Sequence, residues 1–354
     1  IKKMAIFDNL SNLTINIKEA DTIEGIVFEP PILAPEIAEF HSVQTGVTTD
    51  TQIPIIGQIG DLGRIDPGSC GVNSFSGTFP VSEKIWRIKT FSERLDFCLK
   101  LLPDNFKVWR NEQMALKSWE QMDKPLEQYL VNGVGYAVKR AIIRQAEFGD
   151  TGAVAGTNFT TGLDVALVTG YDGIWKQIFL DDAGAKKIKR VTIDANNAAT
   201  FVAQAQLAPD AAYNALTELV RGIDAEYYSA QNEISITPDL WNNYIDYLKA
   251  KGGAYDTTMY TNGVKTLMFD GFKVNVRWDW KQYIEKYQKL AATYVLPHRA
   301  MFTRKENLPV ATSDTQSYSE LDIFYDKLTK KIYADVAWKL DSKVLLEKAL
   351  TVAY

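Results

Sequence analysis

Gly46-Val47-Thr48-Thr49-Asp50-Thr51-Gln52-Ile53-Pro54-Ile55-Ile56-Gly57-Gln58-Ile59-Gly60 is the stretch on which the reading of this 354-residue chain turns. Glycine and proline continue to punctuate it at Gly63, Pro67, Gly68, Gly71 and Gly77. Residues 46–77 thus form a turn-rich segment far longer than the usual connection of about 4–6 residues. Beyond it, Thr78-Phe79-Pro80-Val81 leads into Lys84-Ile85-Trp86-Arg87-Ile88-Lys89, which reads as a strand. The pattern predicts a long two-stranded excursion leaving the body of the protein. Isoleucines gain nothing in a solvated loop, whereas a partner surface would bury them. Ile53, Ile55, Ile56, Ile59, Ile85 and Trp86 are therefore the candidate contacts to another subunit.

Upstream, residues 1–45 read as an extended arm. Leu13-Thr14-Ile15-Asn16-Ile17 alternates like an edge strand, and Pro30, Pro31 and Pro35 then break any regular element. Such an arm has little core of its own and orders by lying on something else.

Downstream, residues 124–148 carry the clearest helix. Pro125 suits the first helical position, and Leu126, Leu130, Val134, Ala137 and Ala141 recur on one face. At ~1.5 Å per residue it spans about 37 Å. A second helix is expected over 209–228, with Ala212, Leu216, Leu219, Ile223 and Tyr227 inward. The strand Glu233–Thr237 follows, with Thr237 as N-cap and Pro238 opening a third helix that ends at Gly252-Gly253. Val264–Phe269 and Phe272–Val276 flank Asp270-Gly271, the strongest short hairpin signal in the chain. Near the end, Leu321–Tyr325 is followed by a second strand. There Ile332, Ala334, Val336 and Trp338 alternate with Tyr333, Asp335, Ala337 and Lys339, a half-buried antiparallel pattern.

Composition sets limits on the chemistry. Hydrophobic residues make up 46% and charged residues 23%, an ordinary globular balance. Cys70 and Cys98, and His41 and His298, are the whole stock of those residue types. They supply no disulfide framework, no metal knuckle and little for a histidine-based triad. The net charge of -5 disfavours tight sequence-independent nucleic-acid binding. No stretch matches a P-loop, HExxH, GxSxG or EF-hand pattern, and the glycines of Gly57–Gly63 are not GxGxxG. No cofactor, metal site or catalytic residue is expected, and no membrane span. Asp181-Asp182 near Lys186-Lys187 and Lys189-Arg190 reads as a solvated turn or as an acid pair beside a phosphate cluster. Tyr227-Tyr228, Trp241, Tyr244 and Tyr247 read as core or interface, or as a sugar or base platform. The latter would suit a carboxylate-based glycan hydrolase, the rival from another class.

Four segments carry a resemblance. They are Gly170-Tyr171-Asp172-Gly173-Ile174-Trp175-Lys176-Gln177-Ile178, Ser235-Ile236-Thr237-Pro238-Asp239-Leu240, Phe302-Thr303-Arg304-Lys305-Glu306-Asn307-Leu308, and Leu321-Asp322-Ile323-Phe324-Tyr325-Asp326 with Lys330-Lys331-Ile332-Tyr333. Their order across residues 118–340 resembles major capsid proteins of tailed bacteriophages with the Hong Kong 97-type fold. The pattern is most similar to those of phages infecting Bacteroidota, including the crAss-like group.

The resemblance implies an α+β fold with an N-terminal arm at 1–45 and an extended E-loop at 46–92. It implies a peripheral domain at 93–189 and 301–354, with spine helix 124–148 and an antiparallel sheet, and an axial domain at 190–300. It also implies a non-enzymatic subunit that self-assembles as hexamers and pentamers into an icosahedral head in the bacterial host cytoplasm. Its partners would be other copies of itself, a portal, decoration or head-fibre proteins, and packaged dsDNA held without sequence-specific contact. The family often loses an amino-terminal scaffolding segment to a maturation protease, which a chain beginning at Ile1 would suit. An encapsulin-like nanocompartment shares the fold and is the nearer rival.

Overall fold

The structure, a computed structural model, describes residues 37–56, 81–98, 124–251, 258–261, 264–313, 319–326 and 331–354. The predicted strand at 13–17, the prolines of the arm, Ile59 and the centre of the excursion lie outside the described residues. In chain order the elements are α1 (Ile37–Phe40), β1 (Val43–Gln44), β2 (Gln52–Ile56), β3 (Val81–Ile85), β4 (Lys89–Cys98), α2 (Lys124–Phe148), α3 (Ile174–Ala183), β5 (Lys189–Val191), α4 (Phe201–Ala205), α5 (Ala211–Arg221), β6 (Glu233–Ile236), α6 (Pro238–Ala250), β7 (Thr258–Thr261), β8 (Val264–Phe269), β9 (Phe272–Val276), α7 (Trp278–Tyr287), β10 (Ala300–Thr303), β11 (Val310–Ala311), β12 (Ser319–Asp326), β13 (Lys331–Ser342) and β14 (Thr351–Ala353).

These elements form an α+β fold with three sheets. The longest strand, β13, is the axis of the first sheet. It pairs antiparallel with β12 over 331–338 and with β4 over 331–340. At its far end it pairs with β11, which in turn carries β1 in parallel. Ala334, Val336, Trp338 and Leu340 are buried, and the residues between them are half-buried, so the predicted period of two is realised. Helix α2 lies against this sheet and keeps the expected span. Its buried stripe is Val134, Val138, Ala141, Ile142 and Gln145, while Ala137 is exposed. The expectation for Ala137 is corrected because the i, i+4, i+7, i+8 row through Val134 faces the sheet.

The second sheet has seven strands in the order β5-β14-β10-β6-β9-β8-β7. Asp270 and Gly271 both take positive φ, 48° and 83°, so the turn between β8 and β9 twists with its strands. Helix α5 ends at Arg221, and a short 3-10 turn, Ala225–Tyr227, replaces the last part of the helix expected over 209–228. Thr237 precedes α6 as expected, but its hydroxyl makes no cap bond there and instead accepts from the Arg299 backbone N–H at 3.2 Å.

This second sheet is a wall between two cores. Along β10, Ala300 and Phe302 face the smaller core, with Leu216, Leu219, Leu240 and Val274, while Met301 faces the larger one. Val352 and Ala353 divide in the same way. Two of its inner strands thus come from 300–303 and 351–353. Helix α7 sends Trp280, Tyr283, Ile284 and Tyr287 into the larger core beside α2. The segment 190–300 therefore does not close on itself, because its sheet needs the carboxy-terminal strands.

Two close-packed features tie the larger core together. Gly149 ends α2 and lies back to back with Gly173, whose N–H donates to the Gly149 carbonyl at 2.9 Å. A Cβ on Gly173 would sit 2.7 Å from the Gly149 nitrogen and 2.9 Å from the Gln145 carbonyl oxygen. The second feature is a buried charge knot. The Glu147 carboxylate, 1% exposed, accepts from His41 Nε2 at 3.0 Å, from Arg277 Nη2 at 2.8 Å and from Trp280 Nε1 at 2.5 Å. Arg277 also makes a bidentate pair with Asp279, and the Phe40 ring lies 3.8 Å from its guanidinium carbon. His41 Nδ1 meets the Leu308 carbonyl at 3.0 Å. One carboxylate thus joins the 37–44 segment, the end of α2 and the start of α7.

Burial alone would push the Glu147 carboxyl up, but Arg277 and His41 outweigh it and hold it below its ordinary value. A depressed carboxyl stabilises the fold fully above the unfolded pKa of about 4.3. That contribution is lost as pH falls through the folded value. Glu147→Gln should therefore cost about 3–5 kcal/mol at neutral pH, since it leaves Arg277 buried with half of its counter-charge. It should also flatten the acid limb of stability, and urea midpoints measured from pH 7 to pH 3 check both. Gly173→Ala should destabilise by about 1–3 kcal/mol through backbone overlap, read from the same midpoints.

Candidate assembly surfaces

The excursion is described at its root. β2 and β3 pair antiparallel, Gln52 with Ile85 through Ile56 with Val81, and form a sheet of two strands among the described residues. A lone two-stranded ribbon is marginal in water, and among the described residues each of its strands presents an unpaired edge. The register places Ile53 opposite Lys84 and Ile55 opposite Ser82 on one face, and Pro54 opposite Glu83 on the other. Ile53, Ile55 and Ile85 are half-buried, while Gln52, Pro54 and Glu83 are exposed. Ile56 sits at the last described step, and Ile59 lies beyond it.

Trp86 has a different place from the other candidates. The expected strand over 84–89 is broken at Trp86-Arg87-Ile88, and the indole is 1% exposed in the single chain. It leaves no surface for a neighbour. The backbone there is tied down, with Asp50 N–H donating to the Trp86 carbonyl at 2.8 Å and Trp86 N–H to the Thr51 carbonyl at 3.0 Å. The next residue continues this, since Arg87 N–H donates to Asp341 Oδ2 at 2.7 Å. Lys84 adds a side-chain latch, pairing with Glu347 at 2.6 Å and donating to the Val344 carbonyl. The ribbon thus leaves the body from a fixed root. The break at Trp86 had no local signal, because an indole in a strand-like run reads the same whether it faces the core or a partner.

The end of the predicted arm is built into the body. Ile37 and His41 are 4% and 3% exposed, and β1 pairs with β11. Helical spacing in the aromatic cluster sends Trp241 and Tyr244 into the smaller core at 7% and 8% exposure. Tyr247 stacks on Tyr213 with ring centroids 4.8 Å apart, and Tyr228 packs on Phe272. The five rings do not form one platform, which removes the glycan-hydrolase reading's only positive feature. Asp181 and Asp182 serve a turn, Asp181 accepting from Ile188 N–H at 2.7 Å and Asp182 from Arg190 at 2.7 Å. Among the described residues no three of His, Cys, Asp and Glu cluster as a metal site, and no helix is long and apolar enough to cross a membrane.

No protein-family model matches the sequence, and comparison with curated proteins found no relative. Solved structures do match. A chain of Gordonia phage Cozz superposes with a TM-score of 0.52 at 10% identity, covering 90% of this chain and 85% of that one. The capsid of cyanophage P-SCSP1u gives 0.49 at 14% identity over 94% and 91%. The SrpI encapsulin of Synechococcus elongatus PCC 7942 gives 0.48 at 8% identity over 96% and 95%. What the chain shares with the Gordonia phage chain, along nearly its whole length, is the fold.

Proposed function

We propose that this chain is a shell subunit, the major capsid protein of a tailed bacteriophage, and that it works by assembly and not by catalysis. The observation that carries the proposal is the ribbon β2–β3, a two-stranded sheet with half-buried isoleucines and no third strand among the described residues, held on a fixed root. A free monomer covers its isoleucines only in part, whereas a neighbouring subunit would cover the rest and pair its edges. The shared fold with a phage chain supports the same reading.

In this reading, copies associate as hexamers and pentamers into an icosahedral head around dsDNA. Ribbon and arm overlap neighbours, while a portal and decoration proteins occupy special positions. Helix α2 is the spine helix, the sheet around β13 belongs to the peripheral domain, and the sheet around β6 and β9 belongs to the axial domain. Ile53, Ile55, Ile56, Ile59 and Ile85 meet the neighbour, and Trp86 anchors them. The acidic balance of the chain, net -5, suits a wall that encloses DNA without gripping it. Its origin in a phage of Bacteroidota rests on the sequence segments alone.

Replacing residues 52–85 by two glycines should leave a folded, soluble chain with its cooperative thermal transition, because Trp86 and the Asp341 contact remain. It should form no closed particles on size exclusion or by negative-stain microscopy, and intact shells from that chain would sink the proposal. Particles of the unaltered chain should contain dsDNA when made during infection, whereas a protein cargo would point to a nanocompartment. Lys84→Ala removes a partly exposed pair worth no more than about 1 kcal/mol to the monomer. It should leave the monomer's melting temperature nearly unchanged while particles come apart at lower denaturant, measured by light scattering.

A further inference from the structure

On the outer face of α6, two hollows of about 440 and 470 Å³ share Asn243 and Asp246 and run together as one groove. Its walls carry four carboxylates, Asp210, Asp239, Asp246 and Glu285, against two ammonium groups, Lys251 and Lys281. Counting Lys249, which pairs with Asp246, four against three leaves the groove at -1. Lys281 is committed to Asp239 at 2.6 Å and approaches Glu285 at 3.9 Å. Asp246 meets Lys249 at 3.1 Å in a pair whose side chains are both exposed.

A second feature of the groove points to what it takes. His298 lines it and is 2% exposed. Its Nε2 lies 2.7 Å from the Gln204 carbonyl, an acceptor, so that nitrogen carries the proton. Nδ1 is then a lone-pair acceptor, buried and without a partner among the described residues. Burial holds the His298 pKa below its ordinary value, which keeps that lone pair available. Carboxylates together with an unfilled imidazole acceptor suit a donor cation, and an ammonium with three N–H groups fits best.

The same chain carries such a group elsewhere. After α3, Asp181 builds a turn: its carbonyl accepts from Gly184 N–H at 3.1 Å and Lys186 N–H at 2.7 Å, and its carboxylate from Ile188 N–H at 2.7 Å. Lys186 takes φ 50°, and both Lys186 and Lys187 are exposed, with no ion pair among the described residues. The turn is preorganised, so seating it requires little ordering. A closed ring of identical copies needs two different, complementary patches on each subunit. An acidic groove and a basic projection are such a pair.

We infer that the Lys186-Lys187 turn of one copy docks in the α6 groove of the next, with ammonium groups on Asp246 and Glu285 in front of the buried His298 ring. This rests on the shell reading proposed above and names one contact within it. The test uses the full chain. Lys186→Glu with Lys187→Glu, and separately Asp246→Lys with Glu285→Lys, should each cut the particle yield on a sucrose gradient at least tenfold. Circular dichroism and melting of the subunits should stay as in the unaltered chain. The four substitutions combined in one chain should restore particles. An unchanged yield in either pair, or no recovery in the combined chain, overturns the inference. So do normal particles of the turn-reversed chain that retain less DNA, which would place the lysines against nucleic acid. If the unaltered chain itself forms no particles, the shell reading fails as well. If it does and the reversals change nothing, only this contact is refuted.

Discussion

The fold depends on a single buried carboxylate. Glu147 is the last but one residue of α2, and its two oxygens accept from His41, Arg277 and Trp280. Those donors come from the amino-terminal segment, from the entry to α7, and from α7 itself. A buried charge is costly unless every lone pair finds a donor. The cost makes the arrangement selective, because any register of these segments that displaces one donor leaves an ion without compensation. The knot also sits next to Gly149, where α2 passes too close to Gly173 for any side chain. Electrostatics and steric contact therefore fix the same point.

From that point the larger core extends along β13 and the smaller one lies across the seven-stranded sheet. The alternation of β10 and β14 lets one sheet line two cores. A chain built this way joins its two cores through a shared wall and not through a linker. The ribbon, by contrast, is a separate sheet whose root is tied to the body through Trp86, Arg87 and Lys84. The body and the projection are therefore separately built, one around two cores and the other on its own pair of strands.

Buried cations mark a further constraint. Arg299 is fully buried with no carboxylate partner among the described residues; it donates to the Leu296 and Val295 carbonyls and to Gln288, beneath Phe148, Trp175 and Phe179. Desolvation pulls its pKa down to about 9. Its role is to hold the 288–296 connection against the core by carbonyl and ring contacts, and that connection carries one side of the groove beside α6.

The sequence alone determined the elements whose signal is local. Helix 124–148 was legible from its period and from the glycine that ends it, the β8–β9 turn from Asp270-Gly271, and β13 from strict alternation. Each depends on residues a few positions apart, where backbone sterics and one-sided burial act directly. The tertiary structure alone decided that Trp86 is an anchor, that Ala137 faces out, and that residues 300–303 and 351–353 complete the sheet of the 190–300 segment. It alone brought Glu147 to Arg277, 130 residues away, and opened a groove beside His298. Those outcomes turn on which distant groups meet, and an isolated side chain carries no local mark of its partner.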